Sequence, residues 1–182
     1  MTKKELRGII KRQKELEDKL LWSDKSNDIF EFIEVLDCFN NASSILLYWS
    51  LKDEVITNLI AEKWANTKKI YLPVVTGSVL NIVRFQGIDK MKPEPIFGIL
   101  EPVSDEVVGM DEIDLVIVPG VAFDRFCQRL GRGKGYYDRL LAESGAVKIG
   151  VAYDFQIVDR VPTETFDVPL DMVVTESEFI LR

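Results

Sequence analysis

The segment of this sequence whose residue types and spacing most clearly indicate a functional site is RLGRGKGYYDR, residues 129–139. Three glycines alternate there with two basic residues, and an apparent helix begins at Tyr136. The alternating residues are Gly131, Arg132, Gly133, Lys134 and Gly135. Backbone N–H groups of a glycine-rich turn can approach a phosphate closely, and the following helix N-terminus adds the positive end of its dipole. The segment therefore predicts a phosphate-binding loop.

The net charge of the chain favours a small anion, and not a nucleic acid, as the ligand of this loop. The formal net charge is −7, which argues against a nucleic acid partner because such binding needs a basic face that neutralises phosphates. Five basic residues nevertheless fall within residues 125–139, so a local positive site is expected. The loop lacks the GKS or GKT triplet of a P-loop, and its glycine spacing differs from GxGxxG. An ordinary solvated turn with scattered charges is the competing interpretation.

The residue types that are absent limit the possible mechanisms. The chain has no histidine, which removes the commonest general base near neutral pH and the commonest metal ligand. Cys38 and Cys127 have no CxxC spacing, so we expect two free thiols rather than a metal site or a disulfide. Carboxylate, lysine or tyrosine chemistry remains, or catalysis by positioning and charge.

The bulk properties predict one domain, residues 1–182. A chain of 182 residues with 47% hydrophobic residues is long and apolar enough for one sizeable core. It has no apolar run near the ~18 residues of a membrane span, and its charged N-terminus lacks a signal peptide's apolar segment. We therefore expect a cytoplasmic protein without membrane contact.

The elements that would position the loop follow a β-α-β rhythm. Thr2 and Glu5 form a predicted capping box for an amphipathic first helix, and a second helix is predicted from near Asn27 to Phe39. A third helix is predicted over residues 53–67. Strands are predicted over residues 44–50, 69–75, 79–87, 113–119, 147–153 and 171–175, with a loop at 93–102. Near-continuous apolar strands separated by helices favour an α/β fold with a mostly parallel sheet covered on both faces.

Ligands of such sheets bind beyond the carboxyl ends of the strands. Candidate ligand-contacting residues stand at three predicted strand ends, which makes this edge the expected site. They are Trp49 and Glu54, Pro119 and Gly120, and Tyr153 and Asp154.

The stretch PGVAFDRFCQRLGRGKGYYDRLL, residues 119–141, resembles the signature of the 5-formyltetrahydrofolate cyclo-ligase family. Further matches are a lysine and an arginine four apart in the first helix, YWSLKDE, FGILEP and VPTETFDVPLDMVVTE, so the resemblance covers nearly the whole chain. It implies a three-layer α/β/α fold of the NagB/RpiA/CoA-transferase type. It also implies ATP-dependent conversion of 5-formyltetrahydrofolate to 5,10-methenyltetrahydrofolate, in which the formyl oxygen is phosphorylated and N10 attacks.

The resemblance also assigns roles to individual residues. The ATP-binding positions are Lys3, Arg7, Arg129, Leu130, Gly131, Arg132, Gly133, Lys134, Gly135, Tyr136 and Tyr137, with Arg132 and Lys134 as catalytic residues. The folate-binding positions are Trp49, Glu54, Phe97, Arg132, Gly133, Lys134, Gly135 and Tyr136. The implied cofactor is Mg²⁺, held by Asp138 and by Asp167, although Asp171 is an alternative for the second ligand. Which of the two tyrosines lines the site stays open.

Each assignment has a structural alternative. Lys3 and Arg7 would otherwise belong to a solvated helix face, and Trp49 and Phe97 to the core. Glu54 would otherwise be a helix-start carboxylate. Asp138 would otherwise pair with Arg139 or cap a turn.

The expected partners are two small molecules, ATP and 5-formyltetrahydrofolate, with no nucleic acid or membrane and with a monomeric chain. Two competing functions are a non-catalytic nucleotide- or folate-binding relative, and an enzyme of the same scaffold that acts on a sugar phosphate or a CoA thioester.

Overall fold

The computed structural model describes residues 1–77, 79–94, 98–142 and 144–182. Its α-helices are α1 (Lys3–Leu16), α2 (Trp22–Glu34), α3 (Asp37–Asn41), α4 (Asn58–Ala65) and α5 (Tyr136–Ala142). The first strands are β1 (Ser44–Leu46), β2 (Lys69–Thr76), β3 (Val79–Arg84), β4 (Met91–Pro93), β5 (Leu100–Pro102) and β6 (Val107–Val108). They are followed by β7 (Leu115–Val118), β8 (Ala122–Asp124), β9 (Arg129–Leu130), β10 (Val147–Val151), β11 (Ile157–Val158), β12 (Met172–Val174) and β13 (Phe179–Leu181). Within these ranges no helix is long and apolar enough to cross a membrane.

An eight-stranded sheet with the order β13-β12-β10-β7-β1-β2-β3-β6 forms the centre of the fold. Its five inner strands, from β12 to β2, are parallel, and antiparallel strands flank them on both sides. From β1 the chain continues to β2 on one side and later to β7 on the other. The sheet therefore has a topological switch point between β1 and β7, where α/β proteins of this kind bind ligands. The predicted fold class, a mostly parallel sheet with helices around it, is confirmed.

Alternating strand residues build the two faces of this sheet. Leu115 and Ile117 of β7 pack in a cluster with α2, α3 and α4, whereas Val116 and Val118 pack in a second cluster with Leu141 of α5. All four β7 side chains are fully buried because both faces are covered. The order is thus helices, sheet, and then a layer that contains α5.

This last layer also contains a small sheet of order β11-β8-β9, which the sequence patterns did not predict. Helix α1 packs on it, with Leu6 and Ile10 buried against Ala122, Leu130 and Val161. The predicted capping box of α1 is present, since Thr2 Oγ1 accepts a hydrogen bond from Glu5 N and Glu5 Oε2 accepts one from Thr2 N. Helix α1 is therefore anchored next to β9, the strand that leads into the glycine-rich loop.

Several element boundaries differ from the predictions. The second predicted helix begins five residues earlier, at Trp22, and is divided because Leu36 adopts an extended conformation before α3. The third begins only at Asn58, so residues 53–57 are a loop. Residues 91–93 and 100–102 pair as the antiparallel strands β4 and β5, although residues 93–102 were predicted as a loop. Five of the six predicted strands are shorter than predicted, β2 extends one residue further, to Thr76, and β13 at the sheet edge was missed.

Candidate functional site at the switch point

A cleft of about 450 Å³ opens at the carboxyl ends of the parallel strands, over the switch point between β1 and β7. Tyr48 and Trp49 enter it just after β1, and Pro119 and Gly120 just after β7. Segments distant in sequence complete its walls. They are Lys3 and Arg7, Leu51 and Glu54, Leu72, Pro73, Val75 and Leu80, residues 99–102, residues 129–138, and Glu164, Phe166 and Asp167.

The glycine-rich loop connects β9 to α5 and forms one wall of the cleft. Gly133 and Gly135 have positive φ angles of 105° and 65°, which L side chains rarely adopt. Arg7 Nε donates to the Gly131 carbonyl at 2.8 Å, so α1 holds this loop directly. A Cβ added to Gly133 would lie 3.4 Å from Arg7 Nη2. The loop therefore needs glycine at positions 133 and 135 for its backbone conformation.

Most cations of the cleft are paired with carboxylates, but two are not. Arg7 binds a carbonyl, and the Lys134 ammonium lies 5.8 Å from the centre of the Tyr136 ring. Neither forms an ion pair within the described residues. Two uncompensated positive charges beside a glycine-rich loop are suited to the oxygens of a phosphate chain.

Arg129 and Asp138 form a buried ion pair across the start of α5. Arg129 Nη2 lies 2.7 Å from Asp138 Oδ1, and the two side chains are only 5% and 15% exposed. From the sequence, Arg139 was the expected partner of Asp138 if Asp138 has a structural role, but the ion-pair partner in the structure is Arg129. The Arg129 guanidinium also lies 5.7 Å from the ring of Tyr137. Burial raises the pKa of the Tyr137 hydroxyl, and the charge of Glu54 raises it further.

Lys3 and Asp167 meet at the far end of the cleft. Lys3 Nζ contacts both Asp167 carboxylate oxygens, at 2.8 and 2.6 Å, and Glu164 Oε2 at 2.6 Å. Burial alone would lower the pKa of Lys3, but hydrogen bonds to the two carboxylates outweigh it and raise the pKa. Asp171 does not line the cleft. It precedes β12, at the amino ends of the strands, and accepts from Lys148 N there.

Arg132 extends from the glycine-rich loop to the 51–54 segment. Its Nε and Nη2 donate to Glu54 Oε1 at 3.0 and 2.9 Å, and Nη2 also donates to Asp53 Oδ1 at 2.7 Å. Lys14 of α1 contacts Asp53 from the other side. Burial alone would raise the pKa of Asp53, but the hydrogen bond from Arg132 and the charge of Lys14 lower it. Glu54 Oε2 accepts from Leu51 N.

The wall opposite the loop is apolar. Trp49 lies in the cleft with its ring 6.1 Å from the ring of Phe85, so it contributes both to the site and to the core. Phe97 lies outside the described residues. The segment after it does contribute, through Ile99 and Leu100.

The structure thus brings all residues that the family resemblance assigned to the site, other than Phe97, to one cleft, including both Tyr136 and Tyr137, whereas Tyr153 and Asp154 do not line it. The Tyr136 hydroxyl reaches the Gly77 carbonyl at 3.3 Å. Tyr153, expected at this edge, is instead buried against Trp22 and bonded to Ser26. The patterns missed Tyr48, Leu51, Glu101, Glu164 and Phe166 as lining residues. For Glu164 and Phe166 the available signal was their closeness in sequence to Asp167.

The fold and the cleft define an α/β protein with a basic glycine-rich loop at its switch point. The sequence model of the 5-formyltetrahydrofolate cyclo-ligase family matches residues 1–176. The 5-formyltetrahydrofolate cyclo-ligase of Haemophilus influenzae is 39% identical over 138 residues, 71% of this chain and 73% of the relative. The Escherichia coli K12 protein of that name is 35% identical over 147 residues, 75% of this chain and 80% of the relative.

Solved structures agree with these sequence matches. The NMR structure of Aquifex aeolicus 5,10-methenyltetrahydrofolate synthetase superimposes with a TM-score of 0.89 at 34% identity, over 100% of this chain and 93% of that one. The synthetase from Mycoplasma pneumoniae gives 0.77 at 25% identity, over 97% and 100%. This chain belongs to the 5-formyltetrahydrofolate cyclo-ligase family. It is an enzyme of the ligase class, as predicted, and the non-catalytic alternative receives no support.

Proposed function

We propose that this cleft converts 5-formyltetrahydrofolate and ATP to 5,10-methenyltetrahydrofolate, ADP and phosphate. The observation that supports it most directly is that one cleft contains both a basic glycine-rich loop and an apolar region. The glycine-rich loop and α1 contribute Lys134 and Arg7, which form no ion pair within the described residues, and Trp49, Glu54 and apolar side chains line the same cleft. A polyphosphate and a fused-ring amide substrate therefore fit side by side.

The chemistry requires positioning more than proton transfer. The formyl oxygen attacks the γ-phosphorus and ADP leaves, which makes the formyl carbon electrophilic. N10 then attacks that carbon and loses its proton, and the C–O bond breaks to release phosphate. Charge builds up on the transferred phosphoryl group, so fixed cations aimed at it lower the barrier. This accounts for a site without histidine.

The loop wall would hold the triphosphate. Backbone N–H groups of residues 129–137 would bind phosphate oxygens, with Lys3 and Arg7 at the α1 side. Lys134, which has no carboxylate partner in the described residues, would contact the transferred phosphoryl group. Arg132 would join it from its position next to Glu54. These two residues are the proposed catalytic pair.

The opposite wall would hold the folate. Trp49 would pack on the pterin, and Glu54 would accept hydrogen bonds from its N–H donors, since a carboxylate accepts from two directions. Phe97 remains a proposed contact on the basis of the family resemblance. Residues 132–136 line the cleft and would touch both substrates.

The carboxylates of the loop wall fit magnesium as a companion of ATP. Mg²⁺ is usually held by one or two carboxylates together with substrate phosphates and water. Asp138 and Asp167 both line the cleft, and Asp138 Oδ2 accepts no hydrogen bond from the described residues. They are the proposed ligands, and the ion would supply neutralisation of phosphate charge.

The test is a turnover assay with 5-formyltetrahydrofolate, ATP and magnesium that follows the absorbance of the methenyl product. We expect product only when ATP is present, with ADP and phosphate in equal amounts. Absence of product from folded protein, or product formation without ATP, would refute the proposal.

A further inference from the structure

The Arg132 guanidinium of the glycine-rich loop is bonded directly to Glu54, the carboxylate proposed to bind the folate. Arg132 Nε and Nη2 donate to Glu54 Oε1 at 3.0 and 2.9 Å. The other carboxylate oxygen, Glu54 Oε2, accepts from Leu51 N at 3.0 Å. A side chain proposed for phosphate therefore occupies, in the protein without substrates, the acceptor proposed for the second substrate.

This contact leaves Glu54 Oε1 with little capacity to bind a ligand. A carboxylate oxygen has two lone pairs, and the two N–H groups of Arg132 already use both of those on Oε1. The Glu54 side chain is only 11% exposed, so water has little access to replace a lost donor. The N–H donors of a pterin can therefore reach Oε1 only when Arg132 moves away.

The second partner of Arg132 does not prevent this movement. Arg132 Nη2 also contacts Asp53 Oδ1 at 2.7 Å, but both of these side chains are more than 40% exposed, and such pairs are weak. Asp53 also keeps a contact with Lys14 Nζ, at 3.2 Å, after Arg132 has left. Only the largely buried Glu54 Oε1 would then lack a donor, and a ligand N–H supplies one.

We propose that the Arg132–Glu54 ion pair couples the nucleotide and folate sites of this cleft. Phosphates that draw Arg132 away leave Glu54 Oε1 free for the folate, and a folate that binds Glu54 releases Arg132 for the phosphates. Each ligand then raises the affinity for the other by the same factor, because such coupling is reciprocal. The proposal rests on the proposed function and describes how binding at that site is regulated.

The experiment measures the dissociation constant of 5-formyltetrahydrofolate by calorimetry, without and with a saturating non-hydrolysable ATP analogue and magnesium. For the wild-type protein we expect the analogue to tighten folate binding at least about 5-fold, the lower end of typical coupling between sites. For Arg132→Ala we expect a ratio near one, because no cation competes for Glu54, even though the variant binds the analogue less tightly. A wild-type ratio near one would overturn the proposal. An undiminished ratio in Arg132→Ala would also overturn it, and would assign the coupling to direct contact between the two ligands.

Arg125→Ala is the matched control, because Arg125 forms a two-point pair with Glu178 outside the cleft. We expect this variant to keep the wild-type ratio, and an equal loss of coupling in both variants would overturn the specific role of Arg132. Turnover by the wild-type protein is measured first. If it forms no methenyl product, the proposed function fails and this inference fails with it. Turnover without coupling between the two ligands refutes only this inference.

Discussion

At the scale of single residues, the ion pairs of the cleft differ in burial. Arg129 and Asp138 are both largely buried, as is Asp167, the partner of Lys3. Arg132 is about half exposed, and its partners Asp53 and Glu54 lie on a different segment. The exposed pair of Arg132 with Asp53 contributes only about 0–1 kcal/mol. The Glu54 side chain is only 11% exposed, so it would need a ligand donor in place of Arg132.

This difference predicts the outcome of Arg132→Ala. Turnover should fall on the order of 100-fold, because a cation positioned for the transferred phosphoryl group is lost, while the Tm changes little. Arg125→Ala is the matched control, since Arg125 forms an exposed two-point pair with Glu178 outside the cleft. Steady-state kinetics and thermal unfolding of both variants provide the check. Equal turnover in the two variants would remove Arg132 from the catalytic pair.

Asp138→Asn should have two separate effects. It weakens the buried pair with Arg129, so unfolding free energy should fall by about 1–3 kcal/mol, and it should raise the magnesium concentration needed for half-maximal rate. Asp114→Asn separates the two, because Asp114 accepts from Ser43 N and Ser44 N at the opposite edge of the sheet. We expect that control to lower the Tm without changing the magnesium titration. A normal titration for Asp138→Asn would exclude it as a ligand.

At the scale of elements, local patterns predicted which segments are strands and helices better than where they end. Residues 53–57 continue the polar and apolar rhythm of α4, yet they form a loop. Ile56 N donates to Ser26 Oγ, thirty residues away, and Tyr48 OH donates to the Val55 carbonyl. These partners come from other elements, so no local window contains the reason. The small sheet β11-β8-β9 was missed likewise, because two of its strands have only two residues.

The site was more predictable than these boundaries. Its residues cluster in one glycine-rich motif and at strand ends, which topology brings together. What could not be predicted was the pairing: Asp138 is adjacent to Arg139 in sequence but bonds to Arg129 through the turn. Asp53 was also overlooked, because its role arises only when Arg132 and Lys14 meet it in space.

Phosphate binding by the glycine-rich loop can be tested by a substitution that changes its backbone conformation. Gly133→Val places a β-branched side chain at a φ of 105°, against Arg7, so the loop must rearrange. We expect the affinity for an ATP analogue to fall at least about 10-fold, in proportion to one or more lost phosphate contacts. Gly145→Val is the control, since a Cβ there meets no atom within 4 Å and φ is not positive. Unchanged ATP-analogue affinity in Gly133→Val would show that this loop does not approach phosphate.

At the scale of the whole molecule, the cleft is assembled from both ends of the chain and from segments between them. Helix α1 links three of these segments through basic residues. Lys3 contacts Asp167, Arg7 contacts the Gly131 carbonyl, and Lys14 contacts Asp53. The fold that buries Leu6 and Ile10 therefore also fixes the distances between the walls. Ligands that bridge the walls should stabilise the entire fold.

This arrangement predicts a large thermal shift when an ATP analogue binds. A ligand at about 100 times its dissociation constant adds about 2.7 kcal/mol of stability, and for a chain of this size each kcal/mol raises the Tm by roughly 2–4 °C. Saturation with a non-hydrolysable ATP analogue should thus raise the Tm by roughly 5–11 °C. Adenosine at the same concentration should shift the Tm far less, because it lacks the phosphates expected to contact Arg7 and Lys134.

The site can also be tested with two arginine variants of α1. Arg7→Ala should reduce the Tm shift that the ATP analogue causes. Arg12→Ala should preserve this shift, because Arg12 is an exposed residue of α1 outside the cleft. An equal shift with adenosine, or an equal loss in both arginine variants, would contradict a phosphate site built between α1 and the glycine-rich loop.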